Sequence, residues 1–443
     1  MIKEYTDESV YDAALERFGF IFENFDNIII SFSGGKDSGL LLNMILDFRR
    51  KHYPNRSIAV FHQDFEAQYT LTSEYVERTF KRLEIEPNTE LFWVCLPIAT
   101  RTALSSYEMY WYPWDDTKKS DWVRPMPEHA YVINLNNNPI TTYRYRMHQE
   151  DLGKQFARWY KQSRGGRTVC LLGIRAEESL QRYSGFINKK YGYMGQCWIT
   201  YQFKDVFAAS PIYDWTHSDV WHANCIFGYD YNSLYDLYHK AGLSCDQMRV
   251  ASPFNDYAKD SLNLYRVIDP KIWTRLVGRV RGVNFGAIYG KTKAFGYRNV
   301  TLPEGYTWKA YTYFLLDTLP TRLRNEYIRK FNTSIEFWHN TGGGLEERTI
   351  IELQEKGYNI KRNGISNYTV MRNSRVVFIG DIPDDTDDIR TTKDVPSWKR
   401  MCFCIIKNDH ICRFMGFGLT REQQKAISAL KEKYGKVVQK DEL

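Results

Sequence analysis

A buried strand that runs straight into a glycine bend and then a helix restricts a chain to few folds, and residues 27–50 spell one out. Asn27-Ile28-Ile29-Ile30-Ser31-Phe32 is a short apolar run of the kind that fills a buried strand. Ser33-Gly34-Gly35-Lys36-Asp37-Ser38 follows it. From Gly39 to Arg50 the apolar residues Leu40, Leu41, Met44, Ile45 and Phe48 then recur at helical spacing. The same order returns downstream, with Ser57 to His62 as a strand and Leu71 to Leu83 as a helix that turns Tyr75, Val76 and Phe80 inward. Leu91 to Leu96 gives a third strand and Thr168 to Gly173 a fourth, the latter after a helix near Gln149 to Gln162. Strands alternating with helices predict an α/β fold, a doubly wound and mainly parallel sheet of five or more strands covered on both faces.

A chain of 443 residues has room for two or three domains. The alternation fades after Trp221, which places a boundary near residue 235: an α/β domain over 1–235 and a mostly helical one over 236–443. A hairpin is expected at Tyr368 to Ile379, turning around Asn373-Ser374, and a last helix from Glu422 to Lys440. The acid-rich stretch 381–388 has the composition of a solvated loop. Between the third and fourth strands, residues 101–138 are irregular and crowded with Tyr107, Tyr110, Trp111, Tyr112, Trp114 and Trp122, which reads as a substrate or partner surface. Eight scattered cysteines lack the spacing of a disulfide framework. With no apolar run of 18 residues and no secretory leader in the first residues, the expectation is a cytoplasmic protein with no membrane partner. The closing Lys440-Asp441-Glu442-Leu443 then reads as a charged helix end rather than a retrieval address. No oligomeric state is assigned.

Ser33-Gly34-Gly35-Lys36-Asp37-Ser38 carries the sharpest chemistry. Small residues let the backbone bend so that several N–H groups face one concavity, where the helix dipole also favours negative charge. That is a phosphate cradle. Lys36 supplies a point charge for phosphate oxygens, and Ser38 with Ser31 or Ser33 adds hydroxyl donors. Asp37, an anion, is left to orient the loop or to hold Mg²⁺. The spacing does not fit GxxxxGK[ST].

These residues carry a family resemblance. Ser-Gly-Gly-Lys-Asp-Ser is similar to the pyrophosphate loop of the N-type ATP pyrophosphatases and the phosphoadenosine phosphosulfate (PAPS) reductase superfamily, the PP-loop proteins. Gly173-Ile174-Arg175-Ala176-Glu177-Glu178-Ser179 with Arg182 resembles that superfamily's G-x-R-x-x-E-S stretch. Pro211-Ile212-Tyr213-Asp214-Trp215-Thr216-His217-Ser218-Asp219-Val220-Trp221 resembles its P-[IL]-x-D-W-x-x-x-D-V-W motif. In the second half, Ala241-Gly242-Leu243-Ser244, Met248-Arg249, Leu315-Leu316-Asp317-Thr318-Leu319-Pro320 and Pro396-Ser397-Trp398-Lys399-Arg400 are similar to the C-terminal domain of unknown function in PAPS-reductase-like proteins of bacteria and phages. That group includes the immunoglobulin-binding regulator A proteins, typically encoded beside a ParB-like partner. The resemblance implies an adenine nucleotide alpha hydrolase-like fold. It also implies a nucleotide site built from Ser31, Ser33, Gly34, Gly35, Lys36, Asp37, Ser38, Asp64, Gly173 and Arg175.

An intact loop, together with the lack of the reductases' E-C-G-[IL]-H segment, points to ATP as ligand and to cleavage between its α and β phosphates. The expected enzyme is a transferase that adenylates an unknown acceptor, with Lys36 and Arg175 as catalytic cations and Mg²⁺ on the triphosphate. Arg175 has the planar fork that suits phosphate, and the alternative for it is a structural salt bridge with Glu177 or Glu178. Glu177, Glu178, Ser179, Arg182, Asp214 and Trp215 are the second-substrate candidates. Asp64, after the second strand, sits where such sheets present ligand groups. Two other readings stand beside this one. One is a sulfonucleotide reductase or sulfurtransferase that uses a C-terminal thiol, and the other a nucleotide-gated regulator that acts with nucleic acid or a ParB-like partner.

Residues 271–340 hold twelve Lys or Arg against four Asp or Glu, and fourteen aromatics, a mixture that suits phosphates and stacked bases. Trp273, Phe285, Tyr289, Tyr297, Trp308, Tyr311, Tyr313 and Trp338 are among those rings, whose alternative place is a core. Gly278, Gly282, Gly286 and Gly290 recur every four residues, as close helix approach or plain loop glycines would have them. Cys402, Cys404, His410 and Cys412 match no standard zinc spacing, and zinc is not expected there.

Overall fold

The computed structural model describes residues 7–105, 108–187, 192–245, 247–255, 259–283, 302–303, 305–366, 373–386, 389, 395–410, 412 and 415. The chain divides into two compact units, residues 1–104 with 110–287 and residues 105–109 with 288–443. The first unit thus runs past the position near 235 where the strand and helix pattern fades. Its tail is tied back: Asp269 Oδ2 accepts the Thr70 amide at 2.8 Å, and Asn232 and Tyr235 hydrogen-bond the glycine bend.

Helix α1 (Val10–Asn24) precedes β1 (Asn27–Ser31), α2 (Lys36–His52), β2 (Ile58–Gln63), α3 (Thr70–Leu83) and β3 (Thr89–Val94). The short strands β4 (Thr100–Arg101) and β5 (Tyr110–Trp111) form a ribbon of their own. After them come β6 (Val132–Ile133), α4 (Gln149–Arg164), β7 (Thr168–Leu171), α5 (Leu180–Ile187), β8 (Gly192–Tyr193), β9 (Gln196–Phe203) and β10 (Val206–Ala209). The unit closes with α6 (His217–Phe227), α7 (Leu234–Lys240), α8 (Tyr265–Ile268) and α9 (Pro270–Arg279). Eight strands form one sheet in the order β6-β3-β2-β1-β7-β10-β9-β8. The first six run parallel, with Ile29 opposite Ala59 on one side and Cys170 on the other. Strands β9 and β8 are an antiparallel edge that the sequence pattern does not announce.

Strand β1 explains why the sheet is covered twice. Successive side chains point to opposite faces, so Ile28 and Ile30 join the core that holds Phe18, Leu41, Ile45 and Phe80, while Ile29 joins Phe61, Leu152 and Phe156. Each of these isoleucines is at most 1% exposed, and burial of one stabilises the fold by about 1.5–3 kcal/mol.

The second unit is mostly helical, with α10 (Trp308–Asp317), α11 (Thr321–Asn340), α12 (Glu347–Glu355) and α13 (Trp398–Ile406). A three-stranded antiparallel sheet, ordered β11-β13-β12, adds β11 (Gly343–Leu345), β12 (Ile360–Ile365) and β13 (Ser374–Phe378). Ser374 is not a turn residue, which corrects the expected hairpin. It pairs with Ile365 and Leu345, because the buried run Val376-Val377-Phe378 needs the strand to begin there. The predicted helix from Glu422 to Lys440 lies outside the described residues.

Candidate active site at the β1 and β7 strand ends

Strands β2 and β3 lie on one side of β1 and β7 on the other, so the chain reverses its direction of sheet growth between β1 and β7. Open α/β sheets bind ligands in the crevice at the carboxyl ends of strands at such a switch point. Ser33–Ser38 follows β1 and Gly173–Ser179 follows β7, so neighbouring strands deliver both segments to one place.

The bend at Gly34 has φ +78°, where a Cβ would also lie 3.0 Å from the Val76 methyl. Gly173 is required by a close approach instead: a Cβ there would sit 2.9 Å from both the Asp37 carbonyl carbon and the Ser38 nitrogen. Gly173 lets the turn after β7 rest against the first turn of α2, and Gly34 lets the bend lie against Val76 and Thr72 of α3. Gly35 caps α2 without a side chain, and the loop is braced internally by Ser38 Oγ, which lies 2.9 Å from Ser33 Oγ and accepts the Ser33 amide at 3.1 Å.

Two buried cations meet at this helix start, Lys36 and Arg175, each 5% exposed. Lys36 Nζ donates to both Asp37 oxygens at 2.9 and 2.7 Å, and Arg175 Nε donates to Asp37 Oδ1 at 2.6 Å. Burial opposes the Arg175 charge, but the Asp37 carboxylate outweighs it and raises the guanidinium pKa further. Arg175 Nη1 also donates to Glu177 Oε2 at 2.9 Å and to the Trp215 carbonyl at 3.3 Å. Glu177 Oε2 accepts the His217 amide at 2.7 Å, and although burial raises its pKa, that bond and Arg175 bring it below the usual range. Glu178 accepts the Arg175 amide at 3.0 Å and pairs with Arg182. Ser179 Oγ accepts the Arg182 amide at 3.2 Å. Loop, Arg175, both glutamates, Ser179 and Arg182 therefore form one connected group.

Other sequence candidates are placed elsewhere. Asp64 is 0% exposed, with Oδ1 accepting the Glu66 amide at 2.8 Å and Oδ2 accepting from Trp93 Nε1 at 2.7 Å and from Arg124. Burial raises the Asp64 pKa, but Arg124 overrides it and keeps the carboxyl below its ordinary range. Asp214 is gripped by both Arg17 terminal nitrogens at 2.8 and 2.7 Å, and Trp215 is 2% exposed with its indole N–H on the Val10 carbonyl. The side chains of these three are engaged within the fold, and Trp215 meets the site through its carbonyl, which accepts from Arg175. Ser31, at the end of β1, is half-buried.

Three tryptophans of the aromatic connection are likewise core, whereas Tyr110 and Tyr112 are half-buried and Tyr107 lies outside the described residues. Trp111, Trp114 and Trp122 are at most 9% exposed, and the Trp114 amide donates to Glu66 Oε2 at 2.7 Å. Glu66 is fully buried and binds Arg279 through both oxygens at 2.7 and 3.0 Å, so one cation of the basic stretch serves packing. Trp308 and Trp338 are buried in the core of the second unit. Residues 284–301 and 304, with Phe285, Tyr289, Tyr297, Gly286 and Gly290, lie outside the described residues.

A magnesium ion needs free oxygen donors. Asp37 has its carboxylate against two cations, and among the described residues no three His, Cys, Asp or Glu side chains cluster as a metal site. The group fits an anion. In the second unit, Cys402 and Cys404 are 0% exposed, and burial pushes the Cys402 thiol up to about 12 and the Cys404 thiol well above its ordinary value. His410 places its ring nitrogens 3.2 Å from Tyr327 Oη and from the Ser105 carbonyl, and burial lowers its pKa to about 4.

Sequence reasoning missed two residues that touch the loop. Asn232 Nδ2 donates to the Gly34 carbonyl at 3.0 Å and to Thr72 Oγ1 at 2.9 Å, and Tyr235 Oη accepts the Lys36 amide at 3.2 Å. Neither sits in a motif, and no local pattern marks a residue that acts from nearly two hundred positions away.

Residues 242–426 match a family model described as a domain of unknown function, DUF3440. Over 427 residues the chain is 29% identical to the uncharacterized protein YbdN of Escherichia coli (strain K12), covering 94% of this chain and 92% of that protein. Among solved structures it is similar to phosphoadenylyl-sulfate reductase from Candida auris, at 12% identity and TM-score 0.28, over 57% of this chain and 98% of that one. The U34-tRNA thiolase NcsA from Methanococcus maripaludis is 12% identical with TM-score 0.31, over 66% and 83%. Candida glabrata FMN adenylyltransferase in complex with ATP is 13% identical with TM-score 0.29, over 53% and 62%. The fold is the one that the PP-loop resemblance implied, a doubly wound, mainly parallel sheet followed by a mostly helical unit. Among the described residues no helix is long and apolar enough to cross a membrane.

Proposed function

We propose that this chain binds ATP at the start of α2 and transfers its adenylyl group to an anionic acceptor. The observation that carries the reading is the convergence of Lys36 and Arg175, both buried, on a helix start whose bend only glycine tolerates. Buried cations need an anion, and a carboxylate that shares both of them can hand them to phosphate. The amides of Asp37 and Ser38 belong to the first turn of α2, where helical N–H groups lack partners within the helix.

In the step proposed, an acceptor oxygen attacks the α-phosphorus, the bond from that phosphorus to the bridging oxygen breaks, and pyrophosphate leaves with the electron pair. Lys36 and the loop amides stabilise the charge that builds on the leaving group, while Arg175 holds the α-phosphate. Magnesium enters as the counter-ion of the triphosphate, and no residue is assigned to it. Arg182 and Ser179, beside Arg175, are the residues for an anionic acceptor. The burial of Cys402 and Cys404, with thiols held protonated, weighs against a reductase or sulfurtransferase that uses them.

Pyrophosphate release from ATP tests the reading. Release by the native protein that disappears in Lys36→Ala supports it. Calorimetry that registers no heat from ATP with the native, magnesium-saturated protein overturns it.

A further inference from the structure

The amide of Lys36 is the first helical donor of α2, and in this structure it points at the hydroxyl of Tyr235 on α7. We infer that Tyr235 is a ligand-binding residue of the loop: its hydroxyl accepts the Lys36 N–H and donates its own proton to a phosphate oxygen of the bound polyphosphate. The inference rests on the proposed nucleotide reading and deepens it.

Three observations support it. A phenol can accept and donate at once, and the Tyr235 hydroxyl uses its accepting side on Lys36 at 3.2 Å while no acceptor for its proton occurs among the described residues. Tyr235 is 4% exposed, and a buried donor left without an acceptor is costly, so a phosphate oxygen at the loop would complete it. The hydroxyl is also fixed in place. Asn232, three residues earlier, binds the Gly34 carbonyl with its amide and the Leu234 amide with its carbonyl at 3.0 Å each, so bend and ring are held by one short segment. Trp221 packs on the ring at 5.5 Å, edge to face. Burial, with Asp37 nearby, raises the Tyr235 pKa and keeps the phenol protonated at neutral pH, as a donor to an anion must be. A neutral donor suits a loop that already gathers two cations, Lys36 and Arg175.

The test compares binding of ATP and of inorganic pyrophosphate, with magnesium, by calorimetry on the full chain. Tyr235→Phe removes the hydroxyl and is expected to weaken both ligands about tenfold. That loss alone would also follow if the hydroxyl merely braced the Lys36 amide. Replacement of Tyr235 by difluorotyrosine separates the roles, because fluorine makes the phenol a better donor and a poorer acceptor and leaves the hydroxyl in place for folding. Tighter binding by the fluorinated protein supports the inference. Weaker binding by the fluorinated protein, or binding by Tyr235→Phe equal to or tighter than native, overturns it. Failure of the native protein to bind either ligand overturns the nucleotide reading and the inference together, and the native control tells the two failures apart.

Discussion

Two groups of buried polar side chains in this chain differ in what burial does to them. At the ends of β1 and β7, Lys36 and Arg175 each lie within 3 Å of the carboxylate of Asp37, and that pairing raises the Arg175 pKa despite burial. In the second unit, Cys402 and Cys404 are buried in the apolar core and His410 is buried against Tyr327 and the Ser105 carbonyl, and desolvation keeps thiols protonated and imidazole neutral. Burial alone therefore does not mark a reactive site. Pairing decides whether a buried group keeps the charge that binding and catalysis require.

The comparison breaks most clearly at Lys36. Lys36→Ala is expected to lower pyrophosphate release from ATP by about two to three orders of magnitude, measured by a coupled phosphate assay, with little change in melting temperature. If release is unchanged, the paired group has no advantage over the silent one.

His410 sharpens the other side. Its folded pKa of about 4 lies below the unfolded value of 6.5, so the unfolded state binds the extra proton between those pH values. Its contribution is full above the unfolded pKa and is lost as pH falls toward 4, on the order of 3 kcal/mol across that window. Urea denaturation of native protein and His410→Gln at pH 7 and pH 5 measures it, and the variant should lose much of the pH dependence.

Gly173→Ala probes the close approach rather than the charge. The added methyl would meet the start of α2 at 2.9 Å, so a loss of about 1–3 kcal/mol in stability and a parallel loss of ATP affinity are expected in denaturation and calorimetry. The smallest effect belongs to the thiols. Cys402→Ala, Cys404→Ala or both should leave pyrophosphate release within about twofold of native, because burial raises both thiol pKa values and disfavours the nucleophilic thiolate at neutral pH.

Much of this was legible in the sequence because the signals are local. A strand needs a run such as Ile28-Ile29-Ile30, a bend needs Gly34, and a helix start needs the residues after it, all within a few positions. Arg175 was legible as a partner of the loop through its motif, and the structure joins it to Asp37 as well as to Glu177, the alternative salt bridge. For Asp64, Asp214 and Trp215 the partners were not legible, because a carboxylate or tryptophan reads the same in sequence whether it faces solvent or Arg124, Arg17 or Val10. In residues 101–138, composition likewise reports that rings are present and not that Trp111, Trp114 and Trp122 turn into the core.

By itself, the sequence determined the order of strands and helices, the glycine bend and the identity of the cations, since each follows from backbone preference and apolar period over short spans. Only the tertiary structure decided that β1 and β7 are neighbours at the point where the sheet reverses, that Arg175 meets Asp37, and that Asn232 and Tyr235 close on the loop. Those contacts join residues far apart in the chain. They depend on how whole layers pack, which no short stretch of sequence specifies.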